Sequence, residues 1–437
     1  MKDTPIKKEI VDQILSENRI TNVTKASIRE IKKLINLIED KSGQKFIRME
    51  MGIPGLPTPK IAIEAEKKAI DEGATALYPD LDGIPELKKQ ISVFIKNFLD
   101  VDIKPLACIP TVGSINGAFA TFMVAGRMNA SQDTILFIDP GFPVHKQLVK
   151  MIGLKQENFD VYNFRGHKLR EKLESILKQG NISVILYSNP NNPSWICFNE
   201  EELQIIGELA TKYNVVVAED LAYFAMDFRK DISTPGFPPF QATVAKYTDN
   251  YILMISTSKS FSYAGQRVGI CAISDKLFNS EHPDLLKYYS SSNFGHALVH
   301  GTVYAVTAGT SHSAQYGVAA LLKAANEGSY NFVKETREYG ERANMLKKIF
   351  INNGFKIVYD MDLDKPIADG FYFTISYPGL SGEELLRELL YYGVSAISLG
   401  ITGSERTEGL RACVSLIQRA QFDILENRLK IFSENHK

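Results

Sequence analysis

Apolar residues recur at helical spacing between 28 and 38, at Ile28, Ile31, Leu34, Ile35 and Ile38, with Arg and Lys between them. That period predicts an amphipathic helix. The following run Gly52-Ile53-Pro54-Gly55-Leu56-Pro57-Thr58-Pro59 cannot extend it, because proline removes backbone donors and fixes φ, so a linker or ordered loop is expected. From about 110 to 275 the pattern changes. Short β-branched runs at 134–138, 183–187, 214–218, 252–255 and 268–273 alternate with longer helical stretches, the signature of a mainly parallel sheet wrapped by helices. Beyond about 330 the pattern predicts a long helix (331–352), strands near 355–359 and 371–376, a helix over 382–392, strands near 394–398 and 410–415, and a closing helix. Three regions follow: a helical segment over 1–50 that joins the small domain or a dimer contact, a large domain over 51–325, and a small α+β domain over 326–437.

The first four β-branched runs end in unusual residues. They lead into Asp139-Pro140-Gly141-Phe142, Ser188-Asn189-Pro190-Asn191-Asn192-Pro193, Glu219-Asp220 and Ser256-Thr257-Ser258-Lys259. Carboxyl ends of parallel strands are where open α/β sheets bind ligands, so four chain segments point to one expected site.

Composition narrows the classes. The 437 residues carry 50 Lys plus Arg against 51 Asp plus Glu, and 44% are hydrophobic. This is the balance of a folded chain of two or three domains, with no general reason for a nucleic-acid or anionic-membrane partner. Cys108, Cys197, Cys271 and Cys413 are scattered without a Cys-x-x-Cys pair, which argues against a disulfide framework or structural zinc. Of the seven histidines, His145, His167, His282, His296, His300 and His312 show no recognised ligand spacing, only His296 and His300 being i, i+4 if helical, so no metal is expected. The first residues lack the apolar run of a secretory signal, and no stretch is long enough to span a bilayer; a cytoplasmic location is expected.

Lys259 stands among hydroxyls and is followed by Gly265-Gln266-Arg267-Val268-Gly269. A partly desolvated lysine is a Schiff-base nucleophile at neutral pH, and an arginine fork grips phosphate oxygens with paired bonds. Alone, Lys259 reads as a surface lysine. The Asn189-Pro190-Asn191-Asn192-Pro193 cluster alone reads as a turn, and Asp220 alone as a helix cap. Together, and in this order and spacing, they resemble the class I/II aminotransferases that use pyridoxal 5′-phosphate (PLP). The resemblance covers about Gly52 to Arg411.

That resemblance implies an α/β fold: a large domain with a mainly parallel seven-stranded sheet in a three-layer α/β/α sandwich, plus a smaller α+β domain. It implies that Lys259 holds PLP as an internal aldimine, and that Arg267 binds its phosphate with Gly113, Ser114 and Ile115 at a helix start and Ser256 and Ser258 nearby. Asp220 would face the pyridine nitrogen, with His145 hydrogen-bonded behind it. Tyr223 and Asn192 would reach the phenolic oxygen, and Phe142 would stack on the ring. Tyr78 would reach the phosphate of a neighbouring subunit, implying a homodimer with shared sites. Gly52, Asn192, Trp195 and Arg411 would meet the substrate, Arg411 clamping its α-carboxylate. The Asn192–Pro193 peptide is expected to be cis.

The implied reaction is a ping-pong transfer of an amino group between an L-amino acid and a 2-oxo acid, Lys259 moving the α-proton. Three positions depart from the family pattern. Trp195 replaces the glycine after the Asn-Pro motif, Ser398-Leu399-Gly400 replaces a Pro-Gly step, and 287–301 contains no arginine for a second substrate carboxylate. The same electron sink also serves β-lyases and decarboxylases. A PLP-binding regulator without turnover would need a nucleic-acid-binding domain, and the leading residues show no helix-turn-helix.

Overall fold

The computed structural model describes residues 3–436, in two compact units. One takes the chain up to Gly55, the short stretch Asn192–Ile196 and everything from Arg337; the other takes Leu56–Asn191 and Cys197–Thr336.

The larger unit is built on a seven-stranded sheet in the order Cys108–Val112, Val268–Ile273, Tyr251–Ser256, Val216–Leu221, Ile182–Ser188, Thr134–Asp139, Lys155–Asp160. Every residue of the five strands between the edges is buried, which explains their unbroken apolar runs: helices cover both faces. The two edge strands gave no such signal. Lys155–Asp160 is mostly polar and half exposed, as an edge that must not pair with other chains tends to be. Cys108–Val112 carries Pro110, which an edge tolerates because it has a free side.

Register sets the site. Val268–Ile273 runs antiparallel to both Tyr251–Ser256 and Cys108–Val112, while the remaining pairs are parallel. Ser188 therefore lies beside Asp220, Ser256 beside Gly269, and Val112 beside Val268. The strand termini that carry Gly113, Asp220, Lys259 and Arg267 lie at one end of the sheet.

The smaller unit holds a four-stranded antiparallel sheet, Ile397–Ser398, Leu410–Cys413, Tyr372–Ser376 and Lys356–Ile357. The expected single strand at 394–398 divides: Val394–Ser395 instead pairs with Ile47–Arg48 from the beginning of the chain. The helix Ile28–Ser42 belongs here too. It opens with a Ser27/Glu30 capping box, worth about 1 kcal/mol, ends at Gly43 in the left-handed region, and buries Ile31, Leu34, Ile35 and Ile38.

Between the units the division falls at Arg337, inside the helix Phe332–Asn352, where the sequence pattern placed it at 326. The first turn of that helix anchors Phe332 among Phe94, Phe98, Phe224 and Phe261 of the larger unit. Among the described residues no helix is long and apolar enough to cross a membrane.

Candidate active site

In the larger unit the cluster begins at the helix Gly113–Ala125. Gly113 has φ +73°, and a Cβ there would lie 2.4 Å from Arg267 Nη2. A Cβ at Gly269 would lie 2.4 Å from the Ser114 nitrogen. These two glycines let the Arg267 guanidinium and the neighbouring strand approach a helix N-terminus, whose free N–H groups and dipole favour an anion. Arg267 is exposed and itself has φ +56°, with Nη1 donating to the Ala264 carbonyl at 2.9 Å. A guanidinium above unpaired helix N–H groups suits a phosphate.

Lys259 sits on the single helical turn Thr257–Ser260. Its neighbouring hydroxyls pin that turn: Ser256 Oγ accepts from the Ser258 N–H at 3.2 Å, Thr257 Oγ1 donates to the Val268 carbonyl at 2.6 Å, and Ser260 Oγ donates to the Phe224 carbonyl at 2.9 Å. Asp220 is buried at the end of its strand, where Oδ1 accepts from the Ala222 N–H at 3.1 Å. Burial pushes its carboxyl up to about 7, opposed by the Ala222 hydrogen bond and by the positive charge of Lys259. Beside the Lys259 charge, a cationic ring nitrogen would further favour the ionised form of this buried carboxyl. Tyr223 is buried on the turn just beyond.

The turn after Asp139 is held by the Asn191 amide, which donates to the Pro140 carbonyl at 2.8 Å. Phe142 is half-buried there, its ring perpendicular to His145 with centroids 5.5 Å apart. The expected hydrogen bond from His145 to Asp220 is not formed. His145 is buried edge-on against Phe122 and Phe142, and burial pushes its pKa down to about 4. Such apolar surroundings favour a neutral imidazole packed as an aromatic. The sequence reading gave no role to Asp139, whose carboxyl is buried against Lys146 and pushed up to about 6 by that burial. Tyr78 is 92% exposed on its loop.

The smaller unit brings together a different set. Arg411 lies on the strand Leu410–Cys413 and is only 1% exposed. Its Nη2 donates to the Glu50 carbonyl at 2.6 Å and its Nη1 to Asn192 Oδ1 at 3.2 Å, while Nε has no partner. Its guanidinium lies 4.4 Å from the centre of the Tyr372 ring. No carboxylate of the described residues pairs with it, so it is a buried cation served by neutral groups alone. The Asn192–Pro193 peptide is cis. Gly52 abuts Tyr372, where a Cβ would come within 1.9 Å of the hydroxyl oxygen. Trp195, expected at the substrate, is fully buried against Gly370 and Tyr372. Sequence reasoning found Arg411 but not Glu50 or Tyr372: one contributes a backbone oxygen, and the other looks like any inward-facing strand aromatic.

The family profile "Aminotransferase class I and II" matches residues 44–429. A probable aspartate aminotransferase of Methanocaldococcus jannaschii is 26% identical over 377 residues, covering 85% of this chain and 88% of that protein. The aspartate aminotransferase of Pyrococcus horikoshii is 29% identical over 385 residues, with 85% of each chain covered. Among solved structures, an alanine aminotransferase from Pyrococcus furiosus superposes with a TM-score of 0.75 at 22% identity, covering 94% of this chain and 98% of that one. The fold is thus the aspartate aminotransferase fold. With 386 consecutive positions spanned by the family profile, from residue 44 to 429, the chain belongs to the class I and II aminotransferases, enzymes that work with pyridoxal 5′-phosphate.

Proposed function

We propose that the enzyme moves an amino group between an L-amino acid and a 2-oxo acid with Lys259 as its central residue. The observation that carries this reading is the end of the sheet where Lys259, the buried Asp220 and the Arg267–Gly113 anion site come together. When bound, PLP supplies an electron sink that makes the α-proton of an amino acid removable.

The chain's own residues divide the remaining work. Gly113, Ser114, Ile115 and Arg267 would hold the phosphate, a reading supported by the close approaches at Gly113 and Gly269. Ser256 and Ser258 shape the turn beneath it. Asp220 would keep the ring nitrogen protonated, a role supported by the burial of this carboxyl at its strand end. Tyr223 and Asn192 would take the phenolic oxygen, and Phe142, backed by His145, would cover the ring face. Lys259 removes the α-proton and returns it, acting as base and then acid. Arg411 takes the substrate α-carboxylate, a role supported by its burial without an anionic partner. Gly52 and Trp195 shape its surroundings.

A homodimer with shared sites is part of the proposal. The exposure of Tyr78 within one chain supports its reaching a second copy. Four buried free thiols fit a reducing cytoplasm.

The test is to incubate holoenzyme with a panel of 15N-labelled amino acids and a 2-oxo acid. Label is expected in the newly formed amino acid. Label released as ammonia would mark a β-lyase, and release of the carboxyl carbon a decarboxylase. Lys259→Ala should lose the lysine–cofactor bond trapped by borohydride and at least about a thousandfold in turnover; trapping at another lysine would overturn the assignment.

A further inference from the structure

A guanidinium withdrawn from water normally keeps a carboxylate beside it, since burial of an unpaired charge is costly. Arg411 keeps a ring instead. The Tyr372 face lies 4.4 Å away, and both side chains are almost wholly buried, the setting in which a cation–π contact is strongest. Tyr372 is wedged in turn. Gly52 leaves room for its hydroxyl, and Trp195 meets it edge-on with centroids 6.1 Å apart and planes at 66°. Trp195 has φ +65° and presses on Gly370, where a Cβ would lie 2.0 Å from Cε2 of the indole. Two glycines thus vacate the space that two rings fill.

We propose that Tyr372 and Trp195 form an aromatic platform that positions Arg411 and sets its affinity for a substrate carboxylate. The proposal rests on the reading of Arg411 as the carboxylate site. Its physical basis is competition. A resident Asp or Glu would occupy the fork that an incoming carboxylate needs, and an ion pair would have to break before the substrate could bind. A ring stabilises the charge through its quadrupole yet takes none of the in-plane N–H positions. Nε stays open, and Nη1 is committed only to the neutral Asn192 amide oxygen. The carboxylate therefore replaces a neutral acceptor rather than an anion. Trp195 holds the ring in place, which makes both residues positioning residues. Because Trp195 is the chain's single tryptophan, its emission also reports on the platform.

The test measures propionate binding to holoenzyme by calorimetry in wild type, Tyr372→Phe, Tyr372→Leu, Trp195→Phe and Arg411→Lys. Tyr372→Leu should bind about tenfold more weakly, equivalent to ~1.4 kcal/mol. Trp195→Phe should lose about threefold, and Tyr372→Phe, which keeps the ring face, should stay within about twofold. With any active amino donor, KM should rise in Tyr372→Leu while kcat stays within about twofold, a split that general loss of structure does not produce. Propionate should change Trp195 emission in wild type and not in Arg411→Lys. Wild-type affinity in Tyr372→Leu, beside lost affinity in Arg411→Lys, overturns the platform and leaves the role of Arg411 standing. Equal losses in Tyr372→Phe and Tyr372→Leu overturn it as well, because the hydroxyl rather than the ring would then matter. Unchanged binding in Arg411→Lys removes the underlying reading. Should Tyr372→Leu not fold, Tyr372→Met fills the space without a π face and carries the same tenfold expectation.

Discussion

In the larger unit Arg267 is exposed, braced by one backbone carbonyl and set against a glycine at a helix N-terminus. In the smaller unit Arg411 is buried, with a ring below it, a carbonyl and an amide oxygen at its edge and Nε without a partner. Both are guanidinium groups suited to oxyanions, yet their surroundings make them different instruments. The exposed group draws on charge that water and salt attenuate, so helix N–H groups and a tight backbone approach must supply the rest. The buried one has already lost its water, so its orientation and the absence of a competing anion govern what it binds.

The largest expected effect tests the buried side of this comparison. Arg411→Met should weaken carboxylate binding by about a hundredfold, as truncation of one partner in a desolvated charge contact does, and the loss should change little between low and high salt. Titrating holoenzyme with a carboxylate at two ionic strengths reads both quantities. A loss that disappears at high salt would mean Arg411 acts as a surface charge.

The exposed side should respond less and differently. Arg267→Met is expected to weaken cofactor binding by about tenfold and to reduce its salt dependence, because neighbouring helix N–H groups remain. Equilibrium dialysis of PLP across a salt series checks this; an unchanged salt slope counts against a phosphate contact.

The smallest effect concerns Asp220 in the cofactor-free protein. Its carboxyl is pushed up to about 7 from an ordinary 3.8, so between those pH values the folded chain holds a proton that the unfolded chain has released. Stability from this group is therefore present at low pH and declines as pH rises from about 4 through about 7. His145 contributes with the opposite sign: held down to about 4 from 6.5, it costs stability as pH falls below 6.5. Comparing thermal midpoints of wild type and Asp220→Asn across that range isolates the first group. The variant should gain on wild type as pH rises, by a few degrees; parallel curves would show that Asp220 ionises normally.

Much of this architecture was readable from residue order. The central strands announced themselves because burial on both faces demands unbroken apolar runs, and Val268–Ile273 was located to the residue. The edge strands were silent because only partial burial constrains them. Arg411, Lys259, Asp220 and Arg267 stood out because their residue types recur in a fixed order, with proline, glycine and hydroxyl neighbours that the local turns require. His145 shows the limit of such matching. Its position along the chain said nothing about which way the imidazole faces, and packing against Phe122 and Phe142 decided it.

Local order determined the strand and helix segments, the turn at Asn192–Pro193 and the chemical types available for a phosphate, a ring nitrogen and a carboxylate. It determined them because propensity, proline geometry and side-chain chemistry act over a few residues. Only the folded chain decided that Gly113 yields to Arg267, that Ser256 lies beside Gly269, and that Arg411 faces Tyr372 rather than an acid. Those are contacts between residues far apart in sequence, set by strand register and by where a missing Cβ leaves room.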